Sequence, residues 1–372
     1  MAKKIKVLAA VLVFWTALFI AWEWWNSFPK VRVAPNAKVN SMQDGVDSIL
    51  RESMLTYLLP GISAAVVKDG KVIYLNAFGF ENLETKDSLT VDSKILVASI
   101  SKLFTALGVA SSFQDKEIRA TDSLYSLKLD EIPNSSSLTN IRIDNLLLHQ
   151  SGIRDKSFSE QILSFSKSQN LSEWGMGFVG DVTSYHSDSI TYEYADSNYD
   201  LLGFLLSALD DFELDSIVKT HVFKPTEMTN SEYVSDWPLE ENGLTGYQKT
   251  FIWKRIEPKR IKFTILPSPS SGLVTTTKDM SIALTHLLHD QRGKFSKHLS
   301  WLTADSEVPL GFQQIQLNGS DWVGHFGGQA GYSSIFFYSA EEHTGIFLFS
   351  NSKDEVGFRT KIANQVLSYI SP

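Results

Sequence analysis

Val97-Ala98-Ser99-Ile100-Ser101-Lys102-Leu103-Phe104 sets a serine and a lysine three residues apart. Ile100, Leu103, Phe104 and Leu107 form an apolar stripe at helical spacing, so the pair is predicted on the first turn of a buried helix. Residues i and i+3 of a helix have Cβ atoms about 5–6 Å apart, close enough for hydroxyl and amine to meet. A serine hydroxyl is a poor nucleophile until a neighbouring base takes its proton. A lysine can be that base when burial or nearby positive charge lowers its pKa, which asks for a dry pocket that keeps the amine neutral. The helix N-terminus adds N–H groups and partial positive charge suited to an oxyanion. The same Ser-x-x-Lys spacing recurs at Ser164, Ser216 and Ser350, where an exposed polar pair is the expectation, so only context singles out Ser99.

That context begins upstream. From Gln43 to Leu59 apolar residues recur at helical spacing, and Pro60-Gly61 stops the helix. Ile62 to Val67 and Lys71 to Ala77 read as strands joined by Asp69-Gly70, a pair suited to the positive φ of a tight hairpin turn. Helical patterns and polar loops dominate from about Ile100 to Met228. Strand signals return at Trp322 to Gly327, Ser333 to Ser339 and Gly345 to Ser350, the last two joined by the Ala340–Thr344 turn, before a terminal amphipathic helix from Val356 to Tyr369. The expected fold is α/β (α+β): one antiparallel sheet built from N- and C-terminal segments and flanked by helices, with a mostly helical region inserted at roughly 100–235. A cleft between the two regions is a natural small-molecule site.

Six ordered segments carry a family resemblance. They are Pro60-Gly61-Ile62-Ser63-Ala64-Ala65-Val66-Val67-Lys68-Asp69-Gly70, then Ala98 to Lys102, then Leu146-Leu147-Leu148-His149-Gln150-Ser151-Gly152-Ile153. Tyr194-Ala195-Asp196-Ser197-Asn198-Tyr199-Asp200-Leu201-Leu202-Gly203 follows, then Ser271-Gly272-Leu273-Val274-Thr275-Thr276 and Gly324-His325-Phe326-Gly327-Gly328-Gln329-Ala330-Gly331-Tyr332-Ser333. From about Gln43 to the C-terminus the chain resembles the serine β-lactamase-related family of class C β-lactamases, D-alanyl-D-alanine carboxypeptidases, D-amino-acid peptidases and similar esterases. The resemblance implies a β-lactamase/transpeptidase-like fold in which Ser99 is acylated and Lys102 is its base. It makes Tyr194 the tyrosine of a Tyr-x-Asn motif, which shuttles a proton to the leaving group. It makes His325 the counterpart of the Lys in Lys-Thr-Gly, supporting Tyr194 and the substrate's polar end. The N–H groups of Ser99 and Gly328 would form the oxyanion hole, and Gly327 and Gly328 would let substrate backbone lie along a strand edge.

Two positions depart from the pattern. Asp196 stands where the motif has Asn; it can accept a hydrogen bond from Lys102 but cannot donate an amide N–H to substrate. Phe326 stands where the family frequently has a small or hydroxylated residue that helps hold a substrate carboxylate. Either it lines the site and favours an apolar or ester substrate over efficient β-lactam hydrolysis, or it points into the core. His149, Ser151 and Gly152 are expected in a structural turn near the site. The function implied is hydrolysis through an acyl-enzyme of an ester, an amide or D-amino-acid peptide, or a β-lactam, with neither cofactor nor metal. A slow or non-catalytic penicillin-binding sensor or scaffold is the alternative.

The rest of the chain narrows the setting. Its 372 residues are 43% hydrophobic and 20% charged, with a net charge of −8, so a large core can form and nucleic acid finds no general electrostatic attraction. The absence of cysteine removes thiol nucleophiles, thiolate zinc sites and disulfides. His286 and His289 stand three apart but lack the glutamate of a zinc-protease motif, and a solvated helix face is expected there. Lys3, Lys4 and Lys6 precede an apolar run from Val7 to Trp22, followed by Trp24 and Trp25. With its flanks this run is long enough to span a bilayer as a single-pass signal anchor over residues 1–27, leaving the domain of residues 43–372 on the extracytoplasmic side after a linker at 28–42. A cleaved signal and a secreted or periplasmic protein is the other reading, although Ala-Trp-Glu-Trp-Trp is a poor cleavage site. Lys254, Arg255, Lys259, Arg260 and Lys262 form a basic stretch beside Trp253 and Phe263, either a half-exposed polar strand or loop, or a contact with anionic lipid or wall polymer. The partners implied are a small-molecule or peptide substrate, cell-wall fragments among the options, and the membrane.

Overall fold

The computed structural model describes residues 2–28, 31, 33, 39–129, 138–155, 168–181, 191–235, 244–288 and 294–370. Its helices are α1 (Ala2–Trp25), α2 (Met42–Tyr57), α3 (Ser101–Asp115), α4 (Ile143–Leu147), α5 (Leu171–Asp181), α6 (Asp196–Asp210), α7 (Leu214–Val218), α8 (Thr277–Leu288), α9 (Ser296–Leu302) and α10 (Phe358–Ile370). Its longer strands are β1 (Gly61–Lys68), β2 (Lys71–Gly79), β3 (Tyr247–Lys249), β4 (Ile256–Pro258), β5 (Gln313–Leu317), β6 (Ser320–Gln329), β7 (Tyr332–Ser339) and β8 (Thr344–Ser350).

A six-stranded antiparallel sheet in the order β5-β6-β7-β8-β1-β2 joins the two ends of the chain. N- and C-terminal segments meet where β1 pairs β8, from Ile62 opposite Ser350 to Lys68 opposite Thr344. Asp69 and Gly70 at the β1–β2 turn have φ of 51° and 70°, as an Asp-Gly hairpin turn requires. Strand periodicity separates two cores. Ile62, Ala64, Val66, Ile335, Phe337, Ile346 and Leu348 pack under α2 and α10. Ala65, Val67, Phe336, Tyr338, Phe347 and Phe349 face the helical region and bury α3. Among the described residues that inserted region is mostly helical, with Glu232–Tyr233 joining a small sheet in which Leu273–Thr275 lies between it and Ile95–Leu96, and Gln169–Asn170 pairing Ile265–Leu266.

Ser41 caps α2 by accepting the Asp44 N–H, and Leu58 closes it in a left-handed conformation with φ of 56°. Asn351, just beyond β8, is fully buried and donates to the carbonyls of Phe80, Glu81 and Thr245, tying the sheet's edge to the segment entering β3. α1 is apolar and almost wholly exposed, and its Lys3–Trp25 stretch is long enough to cross a membrane. Of the segment expected as a linker, Phe28 bridges to Ile256, Val31 is buried and Val33 packs on the core under α2; residues 29–30, 32 and 34–38 lie outside the described residues.

Candidate active site

The turn that carries Ser99 sits where α3 meets the sheet. The expected helical first turn is a 3-10 turn, Ala98–Ile100, and α3 begins at Ser101. Ala98 has φ of 50°, a left-handed conformation that costs an L-residue roughly 1–2 kcal/mol. Such strain marks a backbone held by its surroundings. Those surroundings are explicit. The Val97 carbonyl accepts from Ser334 Oγ at 2.9 Å, Ser101 Oγ donates to the Ala98 carbonyl at 2.6 Å, and the Leu273 N–H donates to Ser101 Oγ at 2.9 Å.

Lys102, fully buried, has three acceptors around its Nζ: Ser99 Oγ at 3.3 Å, Asp196 Oδ1 at 2.6 Å and the Ser270 carbonyl at 3.0 Å. Three acceptors match the three hydrogens of an ammonium. Burial pulls the Lys102 pKa down, but the Asp196 charge, with help from Tyr194 and hydrogen bonds to both, raises it overall. The amine itself is buried, and the carboxylate at position 196 favours its charged form. The Ser-x-x-Lys spacings at Ser216 and Ser350 build nothing comparable. Ser216 and Lys219 are both exposed, the Ser350 hydroxyl donates to the Gly61 carbonyl, and Ser164 lies outside the described residues.

Tyr194, about two-fifths exposed, stands on the loop entering α6. Its ring lies 5.0 Å below Lys102 Nζ and 4.3 Å from the His149 ring. The loop is held from three directions. The Glu193 N–H donates to the His149 carbonyl, the Ala195 N–H donates to His149 Nδ1, and Asp155 accepts from the N–H groups of Asp196 and Ser197. Asp155 thus places a carboxylate on the N-terminus of α6, where exposed N–H groups favour an anion. Burial, with Lys102 next, lowers the His149 pKa to about 4, so the ring is neutral and its Nδ1 is free to accept.

His325 lies on β6, its ring centroid 6.3 Å from that of Tyr194. Burial first, then Lys102, lowers its pKa to about 3. A neutral His325 can donate Nδ1–H to the Phe326 carbonyl at 2.5 Å, which leaves Nε2 as an acceptor. Where the resemblance has a lysine, the charge on this side is absent.

β5 pairs β6 only as far as Gly324, so beyond that residue one edge of β6 is open. The Phe326 N–H points to that edge, toward Gln313 Oε1 at 3.3 Å, and by strand alternation the Gly328 N–H points the same way. This is the edge along which substrate backbone can lie. Phe326 itself is corrected. Its side chain is on the face opposite His325, with its ring 5.0 Å from Phe337 and the Arg359 guanidinium 5.2 Å above it. A strand's period of two forbids His325 and Phe326 from lining the same site. Phe326 is a packing residue and carries no message about the substrate.

Gly327 does face the site, and a Cβ there would fall 2.0 Å from the Val97 carbonyl and 2.1 Å from Ser334 Oγ. Gly327→Ala is expected to lower stability by about 1–3 kcal/mol through overpacking. It should also slow Ser99 acylation by about a hundredfold, because the displaced backbone leads directly to Ser99. A denaturant midpoint and a labelling rate both equal to wild type would contradict the close approach.

Four further residues position the site, two of them, Asp200 and Asn198, within the Tyr194–Gly203 segment singled out above. Asp155 is one. Asp200, which burial raises to a pKa of about 7, accepts the Ser270 N–H at 3.0 Å and so sets the carbonyl that receives Lys102. Arg359 donates to the carbonyls of Gly327 and Ser334 while Asp354 holds its Nε at 2.8 Å. Asn198, fully buried, receives the Ser151 hydroxyl and reaches His149 Nδ1. His286 is on α8, while its expected companion His289 lies outside the described residues.

Comparison with known proteins adds three findings. The sequence model of the family described as Beta-lactamase matches residues 46–369. Among curated relatives, Protein flp of Staphylococcus aureus is 23% identical over 331 residues, covering 85% of this chain and 64% of its own length. D-aminopeptidase of Brucella anthropi is 23% identical, covering 84% of this chain and 61% of its own, so the chain spans less than two thirds of either relative. Among solved structures, the D-amino acid amidase of Ochrobactrum anthropi complexed with L-phenylalanine amide superposes with a TM-score of 0.72 at 21% identity, over 89% of this chain and 98% of that one.

Proposed function

This chain belongs to the beta-lactamase family of serine hydrolases, and from that premise we propose that it hydrolyses small amides or esters through an acyl-enzyme on Ser99, with D-amino-acid amides and peptides as the substrate class. The observation that carries the reading is the fully buried Lys102 amine set between Ser99 Oγ, Asp196 Oδ1 and the Ser270 carbonyl. The substrate class is supported by the D-aminopeptidase and the D-amino acid amidase that this chain resembles.

The substrate carbonyl sits between Ser99 and the open edge of β6, its oxygen taking the N–H groups of Ser99 and Gly328. Lys102, in its neutral form, removes the hydroxyl proton as Oγ bonds to the carbonyl carbon. The bond from that carbon to the leaving nitrogen or oxygen then breaks. Tyr194 hands the departing atom a proton and is reprotonated from Lys102, with the neutral His325 accepting a hydrogen bond beside it. A water then attacks the acyl carbon while its proton passes through Tyr194 to Lys102, the bond from that carbon to Ser99 Oγ breaks to release the acid, and Oγ takes the proton back from Lys102. Asp196 makes the ammonium the dominant form of Lys102, so only a minority of molecules hold the active base near neutral pH.

That feature also favours a second reading, a slow penicillin-binding sensor whose acyl-enzyme persists. α1 serves as a retained membrane anchor in either case. Its Glu23 is buried against the domain and accepts the Ile252 N–H, a contact that a leader awaiting cleavage has no reason to make.

The test pairs a fluorophosphonate probe and a fluorescent penicillin with turnover of a D-amino-acid anilide, its L-isomer, a p-nitrophenyl ester and a chromogenic β-lactam. The hydrolase predicts fluorophosphonate labelling that Ser99→Ala abolishes. It also predicts turnover of the ester and the D-anilide, with the β-lactam at least about a hundredfold slower by kcat/KM. Stable penicillin labelling with no turnover supports the sensor, and labelling that survives Ser99→Ala sinks both.

A further inference from the structure

The β3–β4 hairpin ends in three consecutive exposed apolar residues: Phe251 at 78%, Ile252 at 40% and Trp253 at 43%. A water-facing hairpin tip has no use for such a run. The tip is followed by Lys254, Lys259, Arg260 and Lys262, all exposed and none in an ion pair among the described residues. Neither the fold nor the catalytic reading accounts for this combination.

The same hairpin clasps the outer end of α1. Both carboxylate oxygens of Glu23 accept the Ile252 N–H, at 2.9 and 3.1 Å. The Trp24 and Trp253 rings meet edge to face at 5.3 Å, and Trp253 Nε1–H reaches the Ile20 carbonyl at 3.4 Å. The Arg255 guanidinium lies 4.4 Å over the Trp24 ring, and its Nε donates to the Phe28 carbonyl at 3.0 Å. Phe28 in turn pairs with Ile256. Helix end and hairpin therefore share one height along the helix axis, set by interlocking contacts.

We propose that the Phe251–Trp253 tip and the cations that follow it form a foot resting in the interface of an anionic bilayer. The proposal rests on the reading of α1 as a retained anchor and goes beyond it. A membrane-spanning α1 puts Trp22, Trp24 and Trp25 at the headgroup level, where indole rings settle. Trp253, which reaches back to Ile20, is then at or just below that level. Ile252, whose N–H meets Glu23, lies at the headgroup level with the exposed Phe251 beside it, and the exposed lysines and arginine meet lipid phosphates. The foot also fixes the site. The Tyr247 N–H at the hairpin's root donates to the Gly331 carbonyl, three residues beyond Gly328, so a grounded hairpin holds the open edge of β6 at one orientation above the bilayer.

The cysteine-free chain makes the test direct, because one introduced cysteine takes one spin label. Full-length Phe251→Cys, Leu12→Cys and Glu341→Cys are each labelled and reconstituted into phosphatidylcholine vesicles with and without phosphatidylglycerol. Relative accessibility to oxygen and to a water-soluble nickel chelate then reports depth. Glu341, exposed in the turn after Ser339 at the far end of β7 from Gly331, marks the water value. The foot predicts an oxygen-to-nickel ratio at residue 251 at least about threefold that at 341, deepened by phosphatidylglycerol and reduced when Lys254, Lys259, Arg260 and Lys262 are changed to Glu. A label at 251 that reads as water while the one at 12 reads as hydrocarbon overturns the foot and leaves the anchor standing. A label at 12 that also reads as water overturns both. A water-exposed label at 251 that becomes immobile only on addition of poly(glycerol phosphate) overturns the foot in favour of a wall-polymer contact.

Discussion

Lys102→Ala lowers the second-order rate of Ser99 acylation by about 10³-fold while leaving the melting temperature nearly unchanged. General-base removal alone accounts for about 10²–10⁴ in rate. The amine is placed for that loss to be felt, at 3.3 Å from the nucleophile with no exposed surface through which water could substitute. The stability side follows from an asymmetry in the ion pair. Lys102 is fully buried, but the Asp196 side chain is 46% exposed, so loss of the lysine leaves a carboxylate that water can reach. Deleting one member of a buried pair is destabilising when the survivor stays dry, which is not the case here. The missing amine does leave the Ser270 carbonyl without its donor and a small cavity, losses that removal of the desolvation penalty of a buried cation offsets. Stopped-flow labelling by the fluorophosphonate and a thermal melt measure the two halves. Acylation of Lys102→Ala within threefold of wild type would remove the lysine from the reaction, whatever its geometry (about 0.6 kcal/mol, too little for a base).

The architecture could be read from local signals because those signals are local in the chain. Asp69-Gly70 between β-rich runs forms the β1–β2 hairpin, and the apolar runs of β7 and β8 form strands buried on both faces. The membership of Ser99 and Lys102 in one turn needs only the helical period. What stayed hidden is what depends on contacts across the fold. The charge state of Lys102 is set by Asp196, 94 residues away, and its third acceptor, Ser270, is 168 residues away. No spacing rule can say whether a carboxylate approaches a buried amine or turns to solvent. Asp155 and Arg359 were silent for the same reason: each is a charged residue in an ordinary polar setting until its partners at Ser197 and Gly327 arrive from elsewhere. Phe326 is different in kind. Once His325 is assigned to the site, the period of a strand already turns its neighbour away, and the open choice between pocket and core was decidable by counting.

The basic stretch is the converse lesson. Lys254 to Lys262 is ordinary as composition, and what gives it meaning is the clasp of Trp24 and Glu23 by the hairpin that carries it. That clasp joins positions 229 residues apart in the chain.

Asp196→Asn is expected to raise acylation at neutral pH, an unusual result for the loss of a charged residue in an active site. Asp196 raises the Lys102 pKa by charge and by hydrogen bond, against a burial effect that lowers it. An asparagine keeps the hydrogen-bond acceptor and removes the charge, so burial prevails and the pKa falls. The base is active only when neutral. The acid limb of the pH–kcat/KM profile therefore tracks this pKa, and in the variant, which lacks the adjacent opposite charge, it moves to lower pH. Below the wild-type limb each unit of displacement is about tenfold in the fraction of neutral amine. The sign is independent of stability. A lysine whose folded pKa is raised adds stability that is fully present below its unfolded pKa and lost as pH rises through the folded value, so the rates are compared at neutral pH, on the acid side of the wild-type limb, where that stability is intact. The substituted side chain also restores the amide donor of the family's Tyr-x-Asn motif, so a fall in KM for substrates carrying a carbonyl beside the scissile bond would accompany the shift. A profile whose acid limb stays in place would mean that the titrating base is some group other than Lys102, and a limb displaced to higher pH would reverse the assigned role of the carboxylate.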